Sequence, residues 1–406
     1  MQRLKYCWIC FLVGLLICGP QGVALADDAH YLPVMARAVV DNLRVKSAVL
    51  MDYGTGQFLL EKQADERRPI ASITKVMTML LTLEALEAGR VQLSDEVVAS
   101  PHACSYGGAQ IYLEPGERFT VEEMLMAVTI KSANDAAVAL AEHVAGSESA
   151  FVARMNQRAQ ELGMQNTHFI NACGLDHFGP SGAVSENGYS SARDVAIMSR
   201  ALLKYQPLLA DWLKTRITYL QRASGPVELF NTNHRLIRNF PGADGLKTGL
   251  TDDAGYCLSA TAERSGFRLL AVALGADTDD QRYQDITTLL NYGYANYMGK
   301  FVVQAGEEIA AAAVNRGPVR QISAVAATGL PVLLPKGDSF DGLEQSVQLS
   351  DTLFAPIAAG DRVGTLTVSK NGTVLGEVEL IAAEPVPRLG FLACFWRIFG
   401  QLYGET

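Results

Sequence analysis

The chain has 406 residues, of which 49% are hydrophobic and 19% are charged, a composition that excludes a wholly disordered protein. Its formal net charge is −9 at pH 7, whereas nucleic-acid binding needs a basic face, so we predict no nucleic-acid partner. A chain of this length is expected to form two domains.

The N-terminus has the pattern of an export signal. Arg3 and Lys5 precede an apolar stretch over residues 6–18, and Ala24 and Ala26 are small residues where a signal peptidase cleaves. An uncleaved membrane anchor is the alternative, but this stretch is shorter than the roughly 20 residues that a membrane span needs. We therefore predict a signal peptide over residues 1–26 and an exported protein.

The cysteines and histidines give no sign of a metal site. Beyond the predicted signal peptide the chain contains Cys104, Cys173, Cys257 and Cys394, with no Cys-x-x-Cys spacing. The 6 histidines show no ligand spacing either, so we predict no metal and no cofactor. An exported chain could pair two cysteines, but a core of this size needs no cross-link, and we expect free thiols.

The segment before residue 300 is predicted to combine one sheet with several helices. Alternating residues around Gly54-Thr55-Gly56 indicate a β-hairpin. Apolar spacing predicts helices over about residues 72–88, 121–145, 148–162 and 192–203. Strands over 245–249, 256–262 and 269–275 and a helix over 282–297 follow. Because strands stand at both ends, we predict an α/β (α+β) fold over residues 27–299, an antiparallel sheet flanked by helices with a helical subdomain.

From residue 300 onward the pattern changes to short β-prone runs separated by turns. Lys370-Asn371-Gly372 lies between two alternating runs, and Asn-Gly in that position is a strong hairpin signal. We therefore predict a small all-β domain over residues 300–384.

The last segment, residues 385–406, has an amphipathic pattern beyond Pro385 and Pro387. Large apolar side chains fall on one helical face; they are Leu392, Phe395, Trp396, Phe399, Leu402 and Tyr403. The segment is too short to span a bilayer and carries Arg397 in its middle. We predict a helix that lies in a membrane surface, with a packed C-terminal helix as the alternative.

Ser72 and Lys75 form a candidate nucleophile and base at the start of a predicted helix. A spacing of three places both side chains on one helical face. A neutral lysine could take the proton of the serine as it attacks an acyl group. Alone the motif is weak, because a capping serine beside a solvated lysine explains the same residues.

Two further motifs add polar groups. Ser132-Ala133-Asn134 interrupts an apolar helical pattern, which a helix junction with a capping serine would also explain. Lys247-Thr248-Gly249 lies in a predicted strand, where Lys247 and Thr248 could hold a carboxylate, although an exposed edge lysine is the simpler interpretation. Gly249 weakens a strand interior and often marks the approach of another backbone.

The three motifs in combination carry more weight than any one of them. Their order, on a helix start, a helix junction and a strand, resembles the signature of the penicillin-binding protein and serine β-lactamase superfamily. Residues 69–78, 231–233 and 245–256 look like the low-molecular-mass D-alanyl-D-alanine carboxypeptidase branch, and the similarity covers about residues 47–297. The all-β domain and the amphipathic tail match that branch's C-terminal layout.

The resemblance implies an activity, partners and a location. The enzyme would remove the terminal D-alanine from peptidoglycan stem peptides and would be acylated by β-lactam antibiotics. It would act at the outer face of the cytoplasmic membrane, bound to the membrane surface by the C-terminal helix. No cofactor is implied.

The resemblance also implies roles for the motif residues. Ser72 would be the acylated nucleophile and Lys75 its general base. Ser132 would relay protons to the leaving D-alanine, and Asn134 would hold the substrate amide and orient Lys75. Lys247 would help to lower the pKa of Lys75.

The strand motif would bind the substrate. Lys247 and Thr248 would hold the terminal carboxylate beside Gly249. The backbone N–H groups of Ser72 and Leu250 would form the oxyanion hole. Some relatives have histidine in place of Leu250, so any side-chain role of that histidine is absent here. Arg282 and Asp176 are further candidates for shaping the pocket.

Two other functions share parts of this pattern. A class A β-lactamase uses a loop glutamate to hydrolyse its acyl-enzyme, but the predicted long loop over residues 166–191 offers only Glu186, without the Glu-x-x-Leu-Asn context. A non-catalytic penicillin-binding wall scaffold is the second alternative, and three intact motifs argue against it. We therefore predict a carboxypeptidase.

Overall fold

The computed structural model describes residues 28–178, 184–186, 188–350, 352–393 and 395. The predicted signal peptide, residues 1–26, lies outside the described residues, as does most of the predicted tail helix. The α-helices are α1 (Asp28–Asn42), α2 (Lys75–Glu87), α3 (Pro101–Cys104), α4 (Val121–Met126), α5 (Asn134–Ala145), α6 (Glu148–Glu161), α7 (Ala192–Leu202), α8 (Gln206–Lys214), α9 (His234–Asn239) and α10 (Asp279–Asn296).

The strands fall into two groups along the chain. Those of the first group are β1 (Ser47–Asp52), β2 (Phe58–Lys62), β3 (Glu96–Val98), β4 (Arg118–Thr120), β5 (His177–Phe178), β6 (Val184–Glu186), β7 (Ile217–Leu220), β8 (Val227–Phe230), β9 (Ala243–Thr251), β10 (Gly255–Arg264) and β11 (Phe267–Ala276). Those of the second group are β12 (Tyr297–Val303), β13 (Glu308–Asn315), β14 (Gln321–Ala326), β15 (Leu330–Pro335), β16 (Glu344–Leu349), β17 (Leu353–Phe354), β18 (Arg362–Lys370) and β19 (Thr373–Ala382).

The first group centres on a five-stranded antiparallel sheet in the order β2-β1-β11-β10-β9. β1 pairs with β11, from Ser47 opposite Leu274 to Asp52 opposite Leu269, so the N-terminal hairpin and the three later strands share one sheet. The predicted fold class, with helices around an antiparallel sheet and an all-β domain after it, is confirmed.

The sheet separates two hydrophobic cores. β11 is buried along its whole length, and its side chains alternate between the two faces. Leu270 and Val272 belong to the core that also contains α2 and α5, whereas Leu269 and Ala271 belong to the core that contains α10. Because β11 lies in the middle of the sheet and is covered on both sides, it is a rigid centre for the strands beside it.

Several elements were not predicted from the sequence, namely α1, α3, α8, α9 and the β3–β4, β5–β6 and β7–β8 hairpins; the β5–β6 hairpin lies in the predicted long loop over residues 166–191. α9 has 6 residues and β3 and β4 have 3 residues each. Elements as short as α9, β3 and β4 contain too few residues for an apolar period to be recognised, whereas α1 and α8, with 15 and 9 residues, were missed for reasons other than length. Two short irregular turns lie at the motif residues: a 3₁₀ turn over Ala71–Thr74 contains Ser72 and leads into α2, and a π turn over Ala127–Lys131 follows α4 and precedes Ser132.

The second group forms the C-terminal all-β domain. β12 pairs with β15, and a six-stranded sheet has the order β16-β18-β19-β14-β13-β17. The predicted hairpin at Lys370-Asn371-Gly372 joins β18 and β19, with Lys370 opposite Thr373. Tyr297 is both the C-cap of α10 and the first residue of β12, so α10 continues directly into this domain. The 299/300 division lies within β12, and the domain limits stay predictions.

In the part of the chain that the structure describes, none of the helices has the length and apolar character needed to cross a membrane.

Candidate active site

Ser72 lies in the 3₁₀ turn that leads into α2, and two other backbone segments pack closely against this turn. A Cβ atom on Gly249 would lie 2.6 Å from the carbonyl oxygen of Ile70, and one on Gly174 would lie 2.0 Å from that of Ala71. Both positions therefore need glycine. The close approach of Gly249 puts the Lys247-Thr248-Gly249 strand, within β9, directly beside Ser72.

Lys75 is fully buried and contacts three oxygen atoms. Its Nζ lies 2.9 Å from Ser72 Oγ, 2.6 Å from Asn134 Oδ1 and 2.7 Å from the carbonyl oxygen of Cys173. Burial lowers the pKa of Lys75 from its ordinary value of 10.5 to about 8, against the opposing effects of Cys173 and Asp135. Burial accounts for the lowered pKa of Lys75, whereas the sequence analysis had invoked the charge of Lys247.

Asn134 is the first residue of α5 and is held by the loop that precedes β4. Its backbone N–H donates to Ala109 O at 2.7 Å, and its Nδ2 donates to Gly107 O at 2.7 Å. These bonds leave Oδ1 facing Lys75. The predicted orienting contact between Asn134 and Lys75 is therefore present in the geometry.

Ser132 follows the π turn and has a left-handed backbone, with φ 64° and ψ 32°. A residue other than glycine pays about 1–2 kcal/mol for this conformation. The conformation puts the buried hydroxyl of Ser132 against β9, where Lys247 Nζ donates to its Oγ at 2.7 Å. Lys247 Nζ also donates to the carbonyl oxygen of Thr248 at 3.0 Å.

Lys247 carries the second buried ammonium group of the site. Burial lowers its pKa well below the ordinary value, and the positive charges of Lys75 and Arg282 lower it further. Thr248 beside it is buried, while the side chain of Leu250 is 53% exposed at the end of the strand. The site thus contains two buried lysines with lowered pKa values, each in contact with a serine hydroxyl: Lys75 with Ser72 and Lys247 with Ser132.

Two candidates that the sequence analysis added also lie near β9. Arg282, on α10, is buried; its Nη1 donates to Gly249 O and to Cys257 O, both at 3.2 Å, and its Nη2 pairs with Asp279 at 2.5 Å. Asp176 accepts a hydrogen bond from Thr251, and partial burial is the largest cause that raises the pKa of its carboxyl group. Arg282 therefore holds β9 and β10 through hydrogen bonds to their backbone carbonyl groups.

The structure brings the predicted residues together in two hydrogen-bonded groups. Lys75 links Ser72 to Asn134, and Lys247 contacts Ser132. Sequence reasoning missed the carbonyl groups of Cys173, Gly107 and Ala109. A backbone carbonyl is the same at every residue type, so no sequence signal could have found these partners.

Comparison with known proteins assigns the chain to a family. The family model described as D-alanyl-D-alanine carboxypeptidase matches residues 34–278. The chain belongs to the D-alanyl-D-alanine carboxypeptidase family. A second model, for the C-terminal domain of penicillin-binding protein 5, matches residues 297–388 of this family member.

Individual members of the carboxypeptidase family align over most of both chains. D-alanyl-D-alanine carboxypeptidase DacF of Bacillus subtilis is 40% identical over 357 residues, which cover 88% of this chain and 89% of the relative. Penicillin-binding protein 5 of Haemophilus influenzae superposes with a TM-score of 0.68 at 30% identity, covering 86% of this chain and 98% of that one. The ampicillin-bound form of penicillin-binding protein D2 of Listeria monocytogenes superposes with a TM-score of 0.54 at 30% identity, covering 62% and 98%.

These findings confirm the family resemblance and the predicted activity of a serine-type D-alanyl-D-alanine carboxypeptidase. The predicted link to peptidoglycan and the cell wall is confirmed at the level of the family.

Proposed function

We propose that Ser72 is the acylated nucleophile of this carboxypeptidase and that Lys75 is its general base. The observation that carries the proposal is the set of three oxygen atoms around Lys75 Nζ. A neutral amine has two hydrogens and one lone pair. If the hydrogens go to Asn134 Oδ1 and Cys173 O, the lone pair faces Ser72 Oγ and can accept its proton.

The depressed pKa of Lys75 makes the neutral form available. With a pKa of about 8, roughly a tenth of the enzyme carries neutral Lys75 at pH 7, compared with less than a thousandth for an ordinary lysine. A base with a pKa close to the working pH is the most effective for proton transfer. Ser72 Oγ then bonds to the carbonyl carbon of the penultimate D-alanine as its proton passes to Lys75.

The oxyanion that forms would be bound by the backbone N–H groups of Ser72 and Leu250. The peptide between Gly249 and Leu250 is trans, so its N–H points opposite to its C=O. Since Arg282 contacts Gly249 O on one side, the Leu250 N–H points away from Arg282. This orientation supports Leu250 as an oxyanion donor through its backbone, whatever its side chain.

The terminal D-alanine would be bound and released through the second group of residues. We assign the carboxylate to Lys247 and Thr248, and the amide of the substrate to Asn134. Because Lys247 donates to Ser132 Oγ, the hydroxyl hydrogen of Ser132 is free to pass to the leaving nitrogen. The C–N bond then breaks, D-alanine leaves with a neutral amino group, and the ammonium group of Lys247 returns a proton to Ser132 Oγ. Water then attacks the ester at Ser72: its hydroxyl bonds to the acyl carbon and its other proton passes to Lys247, while Lys75 returns its proton to Ser72 Oγ as the ester bond breaks.

The activity is tested with the purified full chain and a muropeptide that ends in D-Ala-D-Ala. Mass spectrometry is expected to detect the loss of one alanine. A cross-linked product would instead indicate transpeptidation, and an unchanged muropeptide would contradict the proposal.

The nucleophile is tested with a fluorescent penicillin, since β-lactams acylate the catalytic serine in this family. We expect the wild-type chain to be labelled and Ser72→Ala to remain unlabelled. Labelling of Ser72→Ala would show that another residue is the nucleophile.

We also propose that residues 1–26 direct export and that residues 385–406 bind the outer surface of the cytoplasmic membrane. The described part of the tail supports surface binding, because Phe391, Leu392 and Phe395 are 84%, 71% and 51% exposed. Exposed aromatic and leucine side chains on a short helix favour the interface of a bilayer. Deleting residues 390–406, which keeps the buried Val386 in the core of the C-terminal domain, is expected to move the protein to the soluble fraction; retention on membranes would contradict this attachment.

A further inference from the structure

Two irregular backbone segments hold Lys75 from outside its own helix. The turn over residues 171–174 supplies the carbonyl of Cys173, and the loop over residues 105–113 supplies the carbonyls that hold Asn134. Neither segment lies in a sheet or helix that would fix it independently. Asn171 Oδ1 holds the turn from within, and Asp135 accepts from the backbone of the loop at Ile111 and Leu113. The distance between the two segments depends in addition on any side chain that contacts both.

Glu148 contacts both segments at once. Its Oε1 accepts from the backbone N–H of Ala172 at 2.9 Å, in the turn that contains Cys173. Its Oε2 accepts from the hydroxyl of Tyr106 at 2.7 Å, in the loop that holds Asn134. The side chain of Glu148 is 10% exposed, and His102 Nε2 provides a further contact at 2.7 Å.

The carboxylate is itself well anchored. Glu148 is the first residue of α6, whose N-terminus is capped by Ser147 and carries partial positive charge. On the far side of the same turn, Thr78 Oγ1 donates to Ala172 O at 2.6 Å. The N–H and the C=O of Ala172 are thus both occupied. Within the same turn, Asn171 Oδ1 accepts from the Gly174 N–H at 2.6 Å, and this N–H shares a peptide with the Cys173 carbonyl.

We propose that Glu148 is a positioning residue for the general base: by joining the 171–174 turn to the 105–113 loop, it aims both oxygen acceptors at Lys75 and excludes water from it. The proposal rests on the role of Lys75 assigned above. Without Glu148 the two segments separate, water reaches Lys75, and its ammonium form is stabilised. The amine then becomes a poorer base at neutral pH.

The test compares Glu148→Ala with Glu148→Gln in the full chain. Glutamine keeps an oxygen acceptor for Ala172 N–H, and its Nε2 can donate to Tyr106 Oη, so the two segments stay joined although the charge is lost. Alanine removes both contacts. The difference between the two variants therefore isolates the joining role from the effect of charge.

The readout is the pH dependence of acylation by a fluorescent penicillin. For Glu148→Ala we expect the acid limb to move to higher pH, with the rate at pH 7 falling about tenfold per pH unit of movement. For Glu148→Gln we expect a profile close to that of the wild type. A matched control is Glu123→Ala, which removes a carboxylate that caps α4 and does not contact either segment.

The outcomes separate this proposal from the proposed function. Loss of thermal stability in Glu148→Ala with an unchanged acid limb would show a purely structural role and would overturn the proposal. An equal shift of the acid limb in Glu148→Gln would overturn it too, because charge alone would then explain the effect. Failure of the wild-type chain to be acylated would instead contradict the assignment of Ser72 and Lys75.

Discussion

Arg282 Nη1 lies 3.2 Å from the carbonyl oxygen of Gly249 and 3.2 Å from that of Cys257, so one guanidinium group ties β9 and β10 to α10. The Gly249 carbonyl belongs to the same peptide as the Leu250 N–H. A cation on the carbonyl oxygen polarises that peptide and fixes its direction. The strand motif is therefore supported by a residue about 30 positions further along the chain that does not belong to any of the three motifs.

Replacing Arg282 is expected to slow acylation. Arg282→Gln removes the cation from Gly249 O, and loss of one well-aligned oxyanion donor typically costs about 10²–10³ in rate, which sets the upper limit for the effect. The measurement is the acylation rate constant with a fluorescent penicillin. Arg235→Gln is the control, because Arg235 also pairs with Asp279 and contacts the Tyr283 ring but does not contact β9. Equal losses in the two variants would contradict the specific role of Arg282.

The pH dependence of acylation follows from Lys75. Its folded-state pKa is lowered to about 8, so the neutral, active form grows as the pH rises toward 8 and is lost as the pH falls below it. Between pH 6 and pH 7 we expect the rate to increase about tenfold per unit and then to level off above pH 8. Stopped-flow acylation over this range measures the profile. A flat profile from pH 6 to pH 9 would argue against Lys75 as the base.

Gly249 should not tolerate a side chain. The Cβ atom of Gly249→Ala would lie 2.6 Å from Ile70 O, so β9 has to move away from the Ser72 turn. We expect at least a tenfold loss of acylation and a destabilisation of about 1–3 kcal/mol, as for other overpacked sites. Thermal or denaturant unfolding measures the second effect. Gly390→Ala, where nothing lies within 4 Å of the added atom, should leave both properties unchanged.

Ser132 allows backbone strain to be separated from chemistry. Ser132→Ala and Ser132→Gly both remove the hydroxyl that contacts Lys247, so both are expected to lose most carboxypeptidase activity. Only glycine, which has no Cβ atom, adopts the left-handed backbone conformation without steric strain. The free energy of unfolding of the glycine variant should therefore exceed that of the alanine variant by about 1 kcal/mol. Denaturant unfolding of the pair checks this. Equal stability would mean that the turn relaxes when the hydroxyl is lost.

Much of the fold could be predicted from the sequence, and the reason differs from element to element. The long helices and the three late strands have enough residues for a clear apolar period, as the run from Val76 to Leu86 illustrates. The separation of three between Ser72 and Lys75 also predicts a contact, because local helix geometry alone brings the side chains together.

The rest of the site depends on contacts between distant segments. Glu148 contacts the backbone of Ala172, and Arg282 contacts the backbone of Gly249. The sequence analysis named Arg282 as a candidate but not its partner, because a backbone group has no residue type for a pattern to detect. The left-handed backbone conformation of Ser132 could not be predicted either, because serine has no preference for a positive φ. These features become apparent only when the chain is folded.

Tyr297 ends α10 and begins β12 without an intervening loop. The helix that carries Arg282 is thus continuous with the first strand of the C-terminal domain. α10 thus extends from Arg282, which contacts the Gly249 carbonyl, to the first residue of the C-terminal domain, so the support of the active-site strand and the attachment of the β domain belong to one helix.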